Sequence, residues 1–405
     1  MKRESLRADS ALRLLGGVAS VLTALLLAAQ TSGCASVKSA LTSHAAEREF
    51  SIEDQWVRST TKKEFIGYHR VHRMSPLILD TMVIQGNAID GVVAYNRENG
   101  AELWRLDIPN GVEGGAQAAH GHLYFGASDG NFYCVQASDG KVLWTFPLRS
   151  ETLAPPTVDN GVVYVENGTD VVFALDEVSG KQVWTYNRQT TGNFSIRANT
   201  RPTVSGDNVY VGFSDGFIVS LKRKDGSLDW ERKIGKAVRF RDVDATPVID
   251  GGDLFVASFD GTLYSLKADT GAVNWQLDEG AYVPVTLGTD HFTDRLYYST
   301  VNGKILTLDR QTGHVKSTIA VRKGIATQVV FYRNLIVYGE SDGALVVADP
   351  ESGAQVGRFA PGFGVMAKPT IIEATGETYM MSSGANLFAL KLGYHRPGDR
   401  LPWQL

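Results

Sequence analysis

Tryptophan recurs in this chain at a nearly fixed period. Trp104, Trp144 and Trp184 are 40 residues apart, and Trp230 and Trp275 follow after 46 and 45. Each lies four residues after a glycine: Gly100, Gly140, Gly180, Gly226 and Gly271. Gly313 and Gly353 continue the series, with Ser317 and Gly357 in the tryptophan position. Nine or ten residues before most of these glycines stands a second turn: Asp90-Gly91, Asp129-Gly130, Asp215-Gly216, Asp260-Gly261, Asn302-Gly303 and Asp342-Gly343. A repeat of this length is one supersecondary unit that buries its apolar faces only by stacking on its neighbours.

One unit read through supplies the secondary structure. Residues 246–250 form a short strand, and Gly251-Gly252 turns the chain. Residues 253–258 form a second strand, closed by Asp260-Gly261, a turn pair that tolerates positive φ. Residues 262–267 alternate as a third strand, Asp269-Thr-Gly271 turns again, and 272–276 carry the fourth strand with Trp275. Four short antiparallel strands per unit make the blade of an all-β propeller. The large apolar area of each tryptophan then belongs between blades.

Seven complete units end near residues 107, 148, 188, 233, 278, 320 and 360. Residues 367–372, 378–381 and 386–391 supply three more strands, and no fourth follows in the Gly-, Pro- and charge-rich tail 393–405. Residues 54–59, with Trp56, supply the missing strand from the other end of the chain. The expected fold is therefore an eight-bladed β-propeller over residues 49–392, its last blade completed by the N-terminal strand. Seven blades with an appended sheet is the alternative.

The segment 1–33 stands outside that fold. Lys2, Arg3, Arg7 and Arg13 precede sixteen uncharged residues, 14–29. As a helix these span about 24 Å, short of the roughly 30 Å hydrocarbon core, so they are expected to form a signal peptide. Thr31-Ser32-Gly33-Cys34 resembles the lipobox of bacterial lipoproteins, whose cysteine is acylated and becomes the new N-terminus. Thr31 stands where that pattern usually has Leu, and cleavage without lipidation is the alternative. Four basic and two acidic side chains leave with the leader, which takes the net charge from −4 to −6. The segment 34–48 is expected to be a flexible tether. Ser36, two places after the cysteine, is compatible with the outer membrane, because Asp there favours inner-membrane retention.

The remaining motifs are weighed against that scaffold. A net charge of −4 gives no nucleic-acid footprint. Two cysteines exclude a disulfide framework and a four-Cys zinc site, and Cys134, inside a third strand, is expected in the core. Gly126-Ala-Ser128-Asp-Gly130 and Gly212-Phe-Ser214-Asp-Gly216 match the Gly-x-Ser-x-Gly nucleophile pattern. Both fall at the same hairpin of their units, which reads as turn chemistry and not as a catalytic elbow. His69 with His72, and His120 with His122, lack a third metal ligand nearby and are expected to be solvated. Asp242 and Asp244 share one face of an extended segment but lack the rest of a calcium loop. Arg232, Lys233, Lys236, Arg239 and Arg241 lead into those aspartates, and mixed signs on one loop suit a protein partner. That loop and the one from 188 to 201 are where the repeat lengthens.

The units Ala174-Leu-Asp-Glu-Val-Ser-Gly-Lys-Gln-Val-Trp184 and Tyr264-Ser-Leu-Lys-Ala-Asp-Thr-Gly-Ala-Val-Asn-Trp275 resemble the tryptophan-docking repeats of pyrroloquinoline-quinone (PQQ) proteins. Two classes use them: periplasmic quinoprotein dehydrogenases and the BamB family of outer-membrane assembly lipoproteins. Phe194-Ser-Ile-Arg-Ala-Asn-Thr-Arg-Pro202 and Arg239-Phe-Arg-Asp-Val-Asp-Ala-Thr-Pro247 are similar to two loop segments of the BamB family. The resemblance implies a non-enzymatic scaffold of the outer-membrane β-barrel assembly (BAM) complex. It would sit lipid-anchored on the periplasmic face of the outer membrane and use no cofactor. It implies contact with a BamA-like protein through Phe194, Ile196, Arg197, Asp242 and Asp244, with unfolded outer-membrane proteins as further partners. The alternative is a PQQ-dependent dehydrogenase, many of which carry a vicinal Cys-Cys pair that this chain lacks.

Overall fold

Positive-φ glycines set the geometry of each blade. Gly100, Gly140, Gly180, Gly226, Gly271, Gly313 and Gly353 all have φ between +65° and +74°, a region costly for other residues. Each closes a tight turn from the third strand to the fourth; the Gly140 N–H, for example, donates to the Gln136 carbonyl at 2.9 Å. Alternating apolar residues on the middle strands then bury both faces, as in Asp253–Ser258 and Thr262–Lys267.

The structure, a computed structural model, describes residues 49–62, 71–188, 200–237 and 241–395. The expected leader, Cys34, the tether, His69, Phe194, Ile196, Arg197 and Arg239 lie outside the described residues, as does the tail beyond His395. Two compact units divide the chain: Ser51–Gly393, and Met1–Phe50 with Tyr394–Leu405. In the second unit, the described Phe50 and Tyr394 rings meet edge to face at 5.2 Å.

Eight four-stranded antiparallel sheets make up the propeller. Blade 1 is β2(Leu77–Ile78), β3(Met82–Asn87), β4(Gly91–Asn96) and β5(Glu102–Asp107); blade 2 runs from β6(Ala116–Ala119) to β9(Val142–Pro147). Blade 3 spans β10(Thr157–Asp159) to β13(Gln182–Asn187), and blade 4 spans β14(Thr203–Ser205) to β17(Leu228–Lys233). Blades 5, 6 and 7 begin at β18(Val248–Asp250), β22(Thr286–Leu287) and β26(Val330–Tyr332), and end at β21(Val273–Leu277), β25(Val315–Ala320) and β29(Gln355–Phe359). Blade 8 takes β30(Thr370–Ile372), β31(Glu377–Met381) and β32(Asn386–His395) from the end of the chain and β1(Glu49–Ser59) from its beginning, in the order β1-β32-β31-β30. Closure by the N-terminal strand is as the sequence predicts. The last strand runs to His395, past the expected boundary at residue 392.

The tryptophans join the blades. An added Cβ on Gly100, Gly140, Gly180, Gly226, Gly271 or Gly313 would lie 2.5–2.7 Å from an indole of the preceding blade: Trp56, Trp104, Trp144, Trp184, Trp230 and Trp275 in turn. Each indole N–H also donates to the carbonyl three residues before that glycine, at 2.9–3.1 Å, as from Trp104 to Ala137 and from Trp275 to Arg310. Glycine is thus required twice, for its φ and for the absence of a Cβ. A β-bulge beside the tryptophan position recurs in blades 1 to 7, for example between Ala94 and Tyr95, where Leu103 is the extra residue. Bulges re-aim the following side chain, here towards the next blade.

Two seams depart from the pattern. Gly353 meets Ile319 in place of an indole, and blades 7 and 8 join through Phe359 and Phe388, whose rings are 5.4 Å apart. The closing seam is bonded like the others: besides Trp56, Arg97 pairs with Glu377 at 2.9 Å, and the Thr370 hydroxyl donates to the Pro76 carbonyl at 2.7 Å.

Candidate functional site

Strand 4 of one blade connects to strand 1 of the next on one end of the ring. From blade 1 round to blade 8, the connections at 188–202 and 234–247 are the longest. Pro202 and Pro247 hold the preceding residues, Arg201 and Thr246, extended. The Arg201 N–H donates to the Thr246 hydroxyl at 3.3 Å, which ties the two connections together.

The aspartate segment is sealed into the protein. Val243 packs against Gly212, where no Cβ would fit, and its N–H donates to the Phe213 carbonyl at 3.2 Å. On the following side the Phe259 N–H donates to the Asp242 carbonyl at 2.9 Å. Period-2 geometry then turns Asp242 and Asp244 to the opposite face from Val243. Asp242 has no exposed surface and Asp244 only 6%. The sequence places both on a charged loop; the structure buries them, because the segment wedges between the hairpin turns of blades 4 and 5. The basic residue Lys236 is kept outside, where it pairs with Asp278 at 2.8 Å.

Two further carboxylates share this region. Glu166 is 1% exposed and accepts from the Thr200 N–H at 2.9 Å; Asp170, also buried, accepts from the Ser214 N–H at 3.1 Å and from the Ser214 hydroxyl. Burial holds the Asp244 carboxyl well above the usual carboxylate range; Asp242 and Asp170 push the same way, and Arg73 opposes them. Glu166 is likewise pushed well up by burial and then by Asp170, against the hydrogen bonds from Thr200. Asp170 ties blade 3 to the hairpin of blade 4 and Glu166 ties it to the connection at 188–202, but so many costly buried carboxylates in one place, two of them strongly raised, mark the mouth of blades 3 to 5 as a candidate site.

Other expected features fall into the scaffold. Ser128 and Ser214 sit at the hairpin turns after β7(His122–Gly126) and β15(Asn208–Gly212). Cys134 is fully buried opposite Trp144, and burial raises its thiol to about 11. His120 is exposed and meets Glu177 at 2.6 Å, but His72 is buried and not solvated, its Nδ1 accepting the Ala88 N–H at 3.2 Å. Among the described residues no three His, Cys, Asp or Glu side chains gather as a metal site. Sequence reasoning missed Glu166 and Asp170, which lie four residues apart at the hairpin between β11(Val162–Asn167) and β12(Val171–Asp176) of blade 3 and meet the aspartate segment only through the ring.

The family model for outer membrane protein assembly factor BamB matches residues 90–319. BamB of Yersinia pestis is 27% identical over 217 residues, covering 49% of this chain and 54% of that protein; this chain thus spans about half the length of that relative. BamB of Salmonella typhimurium is 25% identical over 364 residues, covering 85% and 90%. The crystal structure of BamB from Moraxella catarrhalis superposes with a TM-score of 0.71 at 21% identity, covering 84% of this chain and all of that one. The fold is shared with quinohemoprotein alcohol dehydrogenase ADHIIG from Pseudomonas putida, at a TM-score of 0.66 and 14% identity over 86% and 78% of the two chains. The matched region takes in six of the eight tryptophan-phase units and both enlarged connections, and on that ground this chain belongs to the outer membrane protein assembly factor BamB family.

Proposed function

We propose that this protein is a non-enzymatic accessory subunit of the outer-membrane β-barrel assembly complex. In this reading it is held at the periplasmic face of the outer membrane by lipid on Cys34, where it binds the periplasmic part of a BamA-like protein. The observation that carries the reading is the family match, which spans both enlarged connections. Phe194 and Ile196 supply apolar anchors, and Arg197 supplies a charge-assisted hydrogen bond to the partner. Asp242 acts from beneath by fixing the course of its segment, and Asp244 faces the ring mouth. Such a platform favours the delivery and insertion of unfolded outer-membrane proteins by holding the assembly partner in a set orientation.

The fold likeness to a quinohemoprotein alcohol dehydrogenase supports a second reading, a PQQ-dependent enzyme. Affinity purification of the tagged full-length protein from detergent-solubilised membranes, followed by mass spectrometry, separates the two. Stoichiometric recovery of a BamA-like protein supports the platform. Failure to recover it, together with alcohol-dependent dye reduction by the protein supplied with PQQ and calcium, supports the enzyme.

A further inference from the structure

The axis of the propeller opens into a cavity of about 590 Å³ on the end that carries the enlarged connections. One position per blade lines it, the second residue before the inner strand. Ser75, Arg201, Thr246, Gln328 and Lys368 occupy that position in five blades, and proline does so in two more. That ring of seven holds two cations and no acid. Arg201 and Lys368 come from blades 4 and 8, on opposite sides of the eight-membered ring.

The two cations are poorly compensated. The Arg201 guanidinium is held by neutral groups, donating to the Thr157 hydroxyl at 2.9 Å and to Gln117 Oε1 at 2.6 Å. Among the described residues neither Arg201 nor Lys368 has a carboxylate partner. Burial and then the Arg201 charge depress the Lys368 ammonium, and both side chains line the same cavity. The Tyr282 hydroxyl is buried in the same wall with no hydrogen-bond partner among the described residues. The nearby acid, Asp244, is held well above the usual carboxylate range by burial, and Arg73, which opposes that shift, also lines the cavity. Apolar side chains such as Leu153, Phe259 and Met366 complete the lining. Few polar groups converging in a mostly apolar cavity of this size is the usual form of a small-molecule site.

We propose that this axial cavity binds a small organic anion, a carboxylate or phosphate carried on an apolar body. Its acidic groups meet Arg201 and Lys368, with the Tyr282 hydroxyl donating to one of them, and its body rests on the apolar wall. This goes beyond the platform reading and does not depend on it. Because Asp244 borders the cavity, occupancy bears on the connection at 234–247.

The test is calorimetric titration of the purified mature protein with isophthalate, with inorganic phosphate, and with the neutral isophthalamide. Isophthalate is expected to bind more tightly than phosphate, and the amide not at all. Lys368→Gln and Arg201→Gln should each weaken isophthalate at least about tenfold, the loss typical of one charge-assisted contact. Thermal melting without added anion monitors the fold. Lys368→Gln removes a charge that partial burial and the Arg201 charge both disfavour, so it is expected to melt no lower than the wild type. The proposal is overturned if the wild type binds neither anion, if the amide binds as well as isophthalate, or if folded Lys368→Gln binds isophthalate as the wild type does.

Discussion

The seams between blades and the mouth of blades 3 to 5 obey opposite rules. At six seams an indole meets a glycine without a side chain, its N–H finds a carbonyl, and the arrangement repeats with little variation. At the mouth the repeat lengthens, four carboxylates are buried, and two of them are pushed well above their ordinary range. The first region minimises unsatisfied polarity and holds the ring; the second retains costly carboxylates, of which Asp170 and Glu166 also bond across to blade 4 and its connection. Stability and function are therefore written into different phases of one repeat.

The seam account is tested most severely at the ring closure. Trp56→Ala should destabilise the protein by about 3–5 kcal/mol, the usual cost of emptying a buried tryptophan site, and broaden the melting transition. An unchanged melting curve would show that β1 is an ornament of blade 8. Glycine substitutions then grade the seams against one another. Gly313→Ala puts a methyl 2.5 Å from Trp275 at φ +72°, and should cost about 2–4 kcal/mol in denaturant unfolding. Gly353→Ala has a similar φ but meets only Ile319, with Cγ1 at 3.0 Å, so about 1–2 kcal/mol is expected. Equal losses would remove the indole from the explanation.

The mouth makes the smallest and most pH-dependent prediction. Raised carboxyl groups give the native state more bound protons than the unfolded chain. Their contribution is therefore full below the unfolded carboxylate value, about 4, and is lost as pH rises through the folded values of Glu166 and Asp244. Exposed turn carboxylates such as Asp309, held down to about 2 chiefly by the Thr312 hydroxyl, have finished titrating by then. Asp244→Asn should flatten the fall in stability between acid and neutral pH and gain roughly 1 kcal/mol at pH 8. A variant with the wild-type slope would place the titration elsewhere.

The division also explains what could be read in advance. Period, turn glycines and tryptophan spacing revealed the blades and the N-terminal closure, because each reflects a contact between adjacent units. Ile319 and Phe359, which replace the indole at two seams, were not legible: both lie two residues beyond the tryptophan position, and substitution in a packed seam leaves no fixed motif. The bulge that aims each tryptophan was equally hidden, since one extra residue in a short strand does not alter composition. At the site, the length of two connections showed where to look. The burial of Asp242 and Asp244 was not visible, because the groups around them, such as Asp170 and Phe213, come from hairpin turns of blades 3 and 4. Arg201 and Lys368 share a phase of the repeat, a signal that emerges only once the inner strands are delimited.

The central claim is that this propeller is a binding platform whose contact lies on the enlarged connections. The direct measurement is the affinity of the purified protein for the periplasmic domains of a BamA-like partner, titrated with the wild type and with Arg197→Ala. Loss of one member of a desolvated charge pair typically costs about 2–5 kcal/mol, so binding should weaken by more than about 30-fold while the melting temperature stays the same. Wild-type affinity in the folded variant, or no measurable binding by the wild type, would contradict the account.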